Sequence, residues 1–311
     1  MLVRSCQEPS SRPHLVNDDL NPASCWIQIV VRHTLPIFQM KPLRNRTGLA
    51  VLGAMLLLGH RSGAEIKVQT SSTPGGVCFA WAGERPKGPA TTVFFFSGGM
   101  QDSFYPEAIS VFGPGVFCVT LDLPAHGADR RADEPASIRG WRYRLDRGED
   151  TVADLVRRAR MVLDHLIAQR YADPGRVAVF GTSRGGFMAY HFAAADPRVT
   201  HVAAFSPVTD LLFLKEFRDM ADSKPARALS ALRLAGTLHD RGLFVIIGNA
   251  DDRVSTPLAI RFTERVIEEA ESRGQQPRIE LHIGTSNGHE CPAGTYPMAA
   301  RWLLAQWKPS K

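Results

Sequence analysis

The sequence predicts a doubly wound α/β domain, with a mostly parallel, eight-stranded sheet flanked by helices. Three observations carry that expectation. From residue 65 onward, short β-branched or aromatic runs alternate with helical stretches, the order that builds a parallel sheet with helical crossovers. Two runs, Thr92-Val-Phe-Phe-Phe96 and Leu243-Phe-Val-Ile-Ile247, are apolar without alternation, as strands buried on both faces must be. The segment 151–170 spaces Val152, Leu155, Ala159, Val162, Leu163 and Leu166 along one helical face, with Arg157, Arg158 and Asp164 opposite.

In chain order, strands are expected at Glu65–Thr70, Val77–Trp81, Thr92–Phe96, Val116–Leu121, Val177–Phe180, His201–Phe205, Leu243–Gly248 and Arg278–Ile283. Asp150 is placed to cap the helix at 151–170. A second helix should start at the glycines after Ser183 and stop near Asp196-Pro197, since the residue before a proline leaves the helical region. Others are expected at 256–273 and 296–306, and no internal repeat interrupts residues 65–311, which read as one catalytic domain. Two connections, 124–148 with Trp141 and Tyr143, and 209–240 with Leu211, Leu212, Phe213, Leu214 and Phe217, are long enough to build a pocket or lid. The second fits equally well as a helix packed on the core.

Residues 1–64 read differently. After Met40 come Lys41, Arg44 and Arg46, then twelve apolar residues, Gly48 to Gly59, then Ser62-Gly63-Ala64. A basic region, an apolar core and small residues at a cleavage position make 40–64 a signal peptide, with mature protein starting at Glu65 in a secreted or periplasmic location. Residues 1–39 read as a segment ahead of the biological start or as a disordered extension. Twelve residues span about 18 Å as a helix, short of the ~30 Å of a hydrocarbon core, so stable membrane insertion is not expected. The net charge of +6 is concentrated in this leader: residues 1–64 hold seven Lys/Arg and three Asp/Glu, and no basic run follows. Nucleic acid as a partner is thereby disfavoured. Cys78, Cys118 and Cys291 sit at no metal-ligand spacing, so buried free thiols are the plainer expectation and a disulfide the alternative.

The chemistry centres on Val177-Ala-Val-Phe-Gly-Thr-Ser-Arg-Gly-Gly186. Gly181, Ser183 and Gly185 form Gly-x-Ser-x-Gly between an expected strand and helix. Glycine on either side lets the backbone turn sharply, which lifts the serine hydroxyl to a helix N-terminus where N–H groups can stabilise an oxyanion. A serine hydroxyl needs a base, and His289 in Gly288-His289-Glu290 lies on a turn between the last strand and last helix. His165 and His191 fall on helices, and His282 within a strand.

These motifs resemble the α/β-hydrolase superfamily, in its dienelactone hydrolase and prolyl oligopeptidase-like branch. The resemblance covers most of residues 77–306 and implies a triad in the order serine, acid, histidine. Gly248-Asn-Ala-Asp-Asp-Arg-Val254 is similar to that branch's acid loop, which implies Asp251 as the acid; Asp252 and Asp210 are rivals. Leu121-Asp-Leu-Pro-Ala-His-Gly127 is similar to a loop in which the histidine, here His126, is structural. The oxyanion hole implied uses the N–H of Arg184 and one from Ser97-Gly98-Gly99-Met100, either Gly99 or Met100. The Arg184 guanidinium could reinforce that hole, bind a substrate carboxylate through two parallel bonds, or turn away to an acidic neighbour. The resemblance implies an esterase acting on a small-molecule ester through an acyl-serine, with neither metal nor organic cofactor. A prolyl oligopeptidase-like peptidase and a non-enzymatic binder on the same fold are the alternatives.

Overall fold

The computed structural model describes residues 66–307; the proposed leader and signal peptide lie outside them. Eight strands form one sheet: β1 (Val68–Ser72), β2 (Cys78–Ala82), β3 (Ala90–Phe96), β4 (Val116–Thr120), β5 (Ala172–Thr182), β6 (Val199–Phe205), β7 (Gly242–Gly248) and β8 (Ile279–Gly284). Their order across the sheet is β1-β2-β4-β3-β5-β6-β7-β8. β1 and β2 pair antiparallel, as do β2 and β4, and every other neighbour is parallel. Helices α1 (Pro106–Phe112), α2 (Ile138–Leu145), α3 (Thr151–Ala168), α4 (Arg184–Ala195), α5 (Lys224–Ala228), α6 (Ala235–Leu238), α7 (Thr256–Glu271) and α8 (Thr295–Gln306) fill the connections.

The unalternated strands are buried on both faces. Phe94 and Phe96 join the core under α3, α4 and α7, whereas Val93 and Phe95 join the one under α1 and α8. Asp150 caps α3, its carboxylate accepting from the Ala153 N–H at 2.8 Å. α4 ends at Ala195, just before Asp196-Pro197. The first strand runs Val68–Ser72 rather than from Glu65, because Gln69 to Ser72 take their register opposite Trp81 to Cys78. β5 begins five residues before the expected Val177, through Asp173-Pro174-Gly175, where the ladder with β3 skips from Ala172 to Val177. A proline and a glycine hide that start from any periodicity.

The two long connections pack onto the body of the protein. Trp141 on α2 is buried, and its indole N–H donates to the Pro124 carbonyl at 2.6 Å. Leu211, Leu214 and Phe217 are buried and Phe213 is exposed, so the apolar cluster of 209–240 covers the core as short turns. The three cysteines among the described residues are free: Cys118 is buried, Cys291 half-buried, and Cys78 exposed at the start of β2, where a buried thiol was expected. Among the described residues no helix is long and apolar enough to cross a membrane.

Candidate active site

Ser183 occupies the single residue between β5 and α4, with φ 54° and ψ −115°. A non-glycine residue at positive φ is strained, and the turn holds this one by three backbone bonds. The Ser183 N–H donates to the Phe205 carbonyl at 2.8 Å, and its own carbonyl accepts from Val208 at 3.0 Å and Phe187 at 3.3 Å. The glycines are steric necessities. A Cβ on Gly181 would stand 2.3 Å from the Gly185 oxygen, and one on Gly185 only 1.9 Å from the Phe96 oxygen. The turn thus fits only with both neighbours bare.

The carboxyl ends of β5, β7 and β8 bring Ser183, Asp251 and His289 together. His289 Nε2 lies 2.9 Å from Ser183 Oγ, and Nδ1 lies 2.8 Å from Asp251 Oδ2. Asp251 is buried, and its Oδ1 accepts from the N–H groups of Arg253 and Val254, each at 3.1 Å. A carboxylate only accepts, so Nδ1 carries the proton and Nε2 presents a lone pair to the serine hydroxyl. The rival carboxylates are engaged elsewhere or turned out. Asp252 is exposed, and Asp210 caps its own turn by accepting from the Leu212 N–H at 2.9 Å.

The loop after β3 sorts its N–H groups. Met100 donates to Asp122 Oδ1 at 2.7 Å and Gly98 to Ser103 Oγ at 3.3 Å. The Met100 hydrogen is thus already committed to a buried carboxylate. Of the two candidates the sequence left open, Gly99 alone keeps its N–H without an acceptor among the described residues. The N–H of Arg184 is the first of α4 and has no intrahelical acceptor. Asp122, not singled out from sequence, organises this side. Its Oδ2 accepts from Ala128 at 2.9 Å, and a Cβ on Gly127 (φ 49°) would collide with it at 2.3 Å. The signal was present in Leu121-Asp-Leu-Pro-Ala-His-Gly127, an acid directly past a strand end and facing a glycine pair.

A cavity of about 100 Å³ adjoins the serine, lined by Ile138, Ser183, Arg184, Val208, Leu214, Arg253 and His289. Arg184 is half-buried and lines this space, and its Nε is buried without an acceptor among the described residues. Burial, and then the charge of Arg253, hold its pKa below the usual arginine value. A buried donor left unmade costs about 1–3 kcal/mol, and more when charged, so the protein maintains this arrangement against a local penalty. Arg253, two residues past Asp251 and not anticipated from sequence, pairs with Glu216 at 2.8 Å. His126 and Arg184 converge on the same side of Gly98: a Cβ there would be 3.3 Å from His126 Cδ2 and 3.4 Å from an Arg184 Nη. His126 Nδ1 donates to the Pro124 carbonyl at 2.8 Å, and its Nε2 is buried without a partner among the described residues. Burial and the Arg184 charge lower its pKa, which keeps the ring neutral. Larger cavities lie elsewhere, notably one of about 680 Å³ between α3 and α4, away from the serine. Among the described residues no group of three or more His, Cys, Asp or Glu is placed to share a metal ion.

The sheet order and the strand–serine–helix turn define an α/β-hydrolase. Residues 139–307, over half of the chain, match the model of the prolyl oligopeptidase family, and the chain belongs to that family of serine hydrolases. Solved structures agree on the fold. TT1662 from Thermus thermophilus superposes with a TM-score of 0.57 at 18% identity, over 79% of this chain and 100% of that one. A puromycin-hydrolysing peptidase from Mycobacterium tuberculosis gives 0.57 at 15% identity, over 78% of this chain but only 39% of the peptidase. Acetyl xylan esterase 1 from a Thermoanaerobacterium gives 0.52 at 14% identity, over 79% of this chain and 90% of the esterase. No curated protein matches the sequence.

Proposed function

We propose that this hydrolase cleaves carboxylic esters of small molecules through an acyl-serine intermediate. The observation that carries the reading is the hydrogen-bonded series from Asp251 through His289 to Ser183, at 2.8 and 2.9 Å, beside a cavity. Ser183 Oγ attacks the ester carbonyl while His289 Nε2 takes its proton. The N–H groups of Arg184 and Gly99 hold the oxyanion that forms. Collapse expels the alcohol, which receives the proton from His289. Water then attacks the acyl-serine, again deprotonated by His289, and the carboxylic acid leaves.

Peptide hydrolysis is the second reading, favoured by the family match and by the peptidases among the structural neighbours. The cavity favours the ester. A peptidase trimming from a free amino terminus needs a carboxylate for the ammonium group, and the lining offers two arginines and no acidic side chain. Turnover of acyl esters should exceed that of matched aminoacyl amides in a substrate panel; preference for the amides would overturn the ester reading. Labelling of Ser183 by a fluorophosphonate separates either enzyme from a binding protein on the same fold.

A further inference from the structure

We infer that the substrate's acyl group carries a carboxylate a few bonds from the scissile carbonyl, and that Arg184 selects it, with Arg253 as the second arginine of the subsite. This inference rests on the hydrolase reading and adds the substrate class to it.

Three features point the same way. Arg184 lines the cavity beside the serine, and its Nε has no acceptor among the described residues, while Arg253 on the same lining is already tied to Glu216. Because Glu216 offsets Arg253 and His126 is neutral, the uncompensated charge at the serine is that of Arg184. A single anion balances it. Secondly, the rest of the lining is Ile138, Val208 and Leu214, an apolar wall that suits methylene groups rather than a sugar or a peptide backbone. At about 100 Å³ the space holds roughly three water-sized groups, enough for a carboxylate and one or two methylenes. Thirdly, Arg253 also lines a neighbouring cavity of about 150 Å³ with Phe213, Lys215, Arg218 and Asp252. With Arg253 offset by Glu216, Lys215 and Arg218 stand against the one carboxylate of Asp252, and this net positive approach attracts anions. The neutral His126 ring, on the same side of Gly98 as the guanidinium, adds no second positive charge there.

The orientation of the ester follows. With the scissile carbonyl at Ser183 and the anion at Arg184, the acyl chain turns into the apolar notch and the alcohol points to solvent. Short dicarboxylate half-esters satisfy this arrangement, whereas neutral diesters leave the guanidinium unpaired and bury it further.

Monoethyl succinate and diethyl succinate share one acyl skeleton and differ in whether the remote carboxyl is ionised or ethylated, so their kcat/KM ratio per ester group, from initial rates in a pH-stat assay at pH 7.5, reads the subsite. A charge-assisted paired contact predicts that the monoester is favoured about 10- to 150-fold. Arg184→Met should bring the ratio close to one. Arg184→Lys should retain only part of it, because an ammonium lacks the planar fork. Arg253→Met should reduce it less than Arg184→Met does. A second readout does not depend on turnover: succinate should slow fluorophosphonate labelling of Ser183, and diethyl succinamide at equal concentration should not. A ratio of one or below in the unmutated protein overturns the inference, as does a ratio that survives Arg184→Met, or equal protection by both compounds. Failure of Ser183 to label at all overturns the hydrolase reading, and the inference with it.

Discussion

Asp251 divides its carboxylate between two tasks, giving Oδ2 to His289 Nδ1 at 2.8 Å and Oδ1 to the N–H groups of Arg253 and Val254. The carboxylate cannot rotate without losing bonds to its own turn, so the imidazole takes its direction from the rigid end of β7. Asp251→Asn would offer Nδ1 a donor in place of an acceptor, or a wrong tautomer, and kcat should fall about 10⁴-fold. Ser183→Ala and His289→Ala should cost up to about 10⁶-fold in kcat. Asp252→Asn and Asp210→Asn should stay within a few-fold of the unmutated enzyme in the same ester assay. A dead Asp210→Asn beside an active Asp251→Asn would reassign the acid.

Ser183 holds φ 54° where glycine would sit without strain. Residues in such regions cost about 1–3 kcal/mol and persist where function requires them. Ser183→Gly should therefore abolish turnover and raise Tm by several degrees, at roughly 2–4 °C per kcal/mol for a domain of this size. Ser183→Ala removes the same hydroxyl but keeps the Cβ, so its Tm should not rise comparably. Equal melting of the two variants in calorimetry would refute stored strain at this turn.

Much of the fold was legible because its signals are local. Thr92-Val-Phe-Phe-Phe96 and Leu243-Phe-Val-Ile-Ile247 declare buried parallel strands, and Gly181 and Gly185 on either side of the serine declare a turn with no room for a Cβ at those two positions. His289 was legible by position, on the turn past the last strand. What stayed hidden depends on contacts between segments distant in sequence. The commitment of the Met100 N–H to Asp122 joins residues 22 apart. The pairing of Arg253 with Glu216, and the placing of Ile138, Val208 and Leu214 on one cavity, require the loops to be folded before the neighbours exist. The start of β5 was masked by Asp173-Pro174-Gly175, where turn residues are carried inside a strand.

Arg144 is buried with Glu134, its Nε and one Nη donating to the two carboxylate oxygens at 2.8 and 2.6 Å, and a further Nη lies 2.8 Å from Asp129. The pair pins the 124–148 connection, which supplies Ile138 to the cavity. Glu134→Ala leaves the guanidinium buried with Asp129 as its remaining carboxylate, and should destabilise the protein by about 3–5 kcal/mol in denaturant titration. The Arg144 bonds hold the Glu134 pKa below its ordinary value. The stabilisation is present above the unfolded glutamate pKa and is lost as pH falls through the lower folded one. Replacing both partners by apolar residues of similar volume should cost much less than Glu134→Ala, since no buried charge is left unpaired.

Two histidines, beside the lowered His126, dominate the response to mild acid. His191 on α4 is buried with its Nε2 at 3.0 Å from the Leu229 carbonyl, and burial pushes its pKa down to about 4. His201 on β6 is buried between Trp302 and Trp307, and burial together with the Arg278 charge also lowers it to about 4. In the unfolded chain both return to about 6.5. Between those values the unfolded state binds more protons than the folded one, so stability rises with pH across that window. It should accordingly fall as pH drops from about 6.5 to 4 and level off for these groups below it. At 1.36 kcal/mol per unit, each histidine contributes on the order of 3 kcal/mol to that fall. The window lies above the one set by Glu134, which separates the two effects. His191→Gln keeps a donor for the Leu229 carbonyl but has no proton to titrate, so urea titrations at pH 7.5, 6, 5 and 4 should show a clearly shallower slope than the unmutated protein. A stability curve flat between pH 6.5 and 5 would show that these rings are protonated as readily inside the fold as outside it.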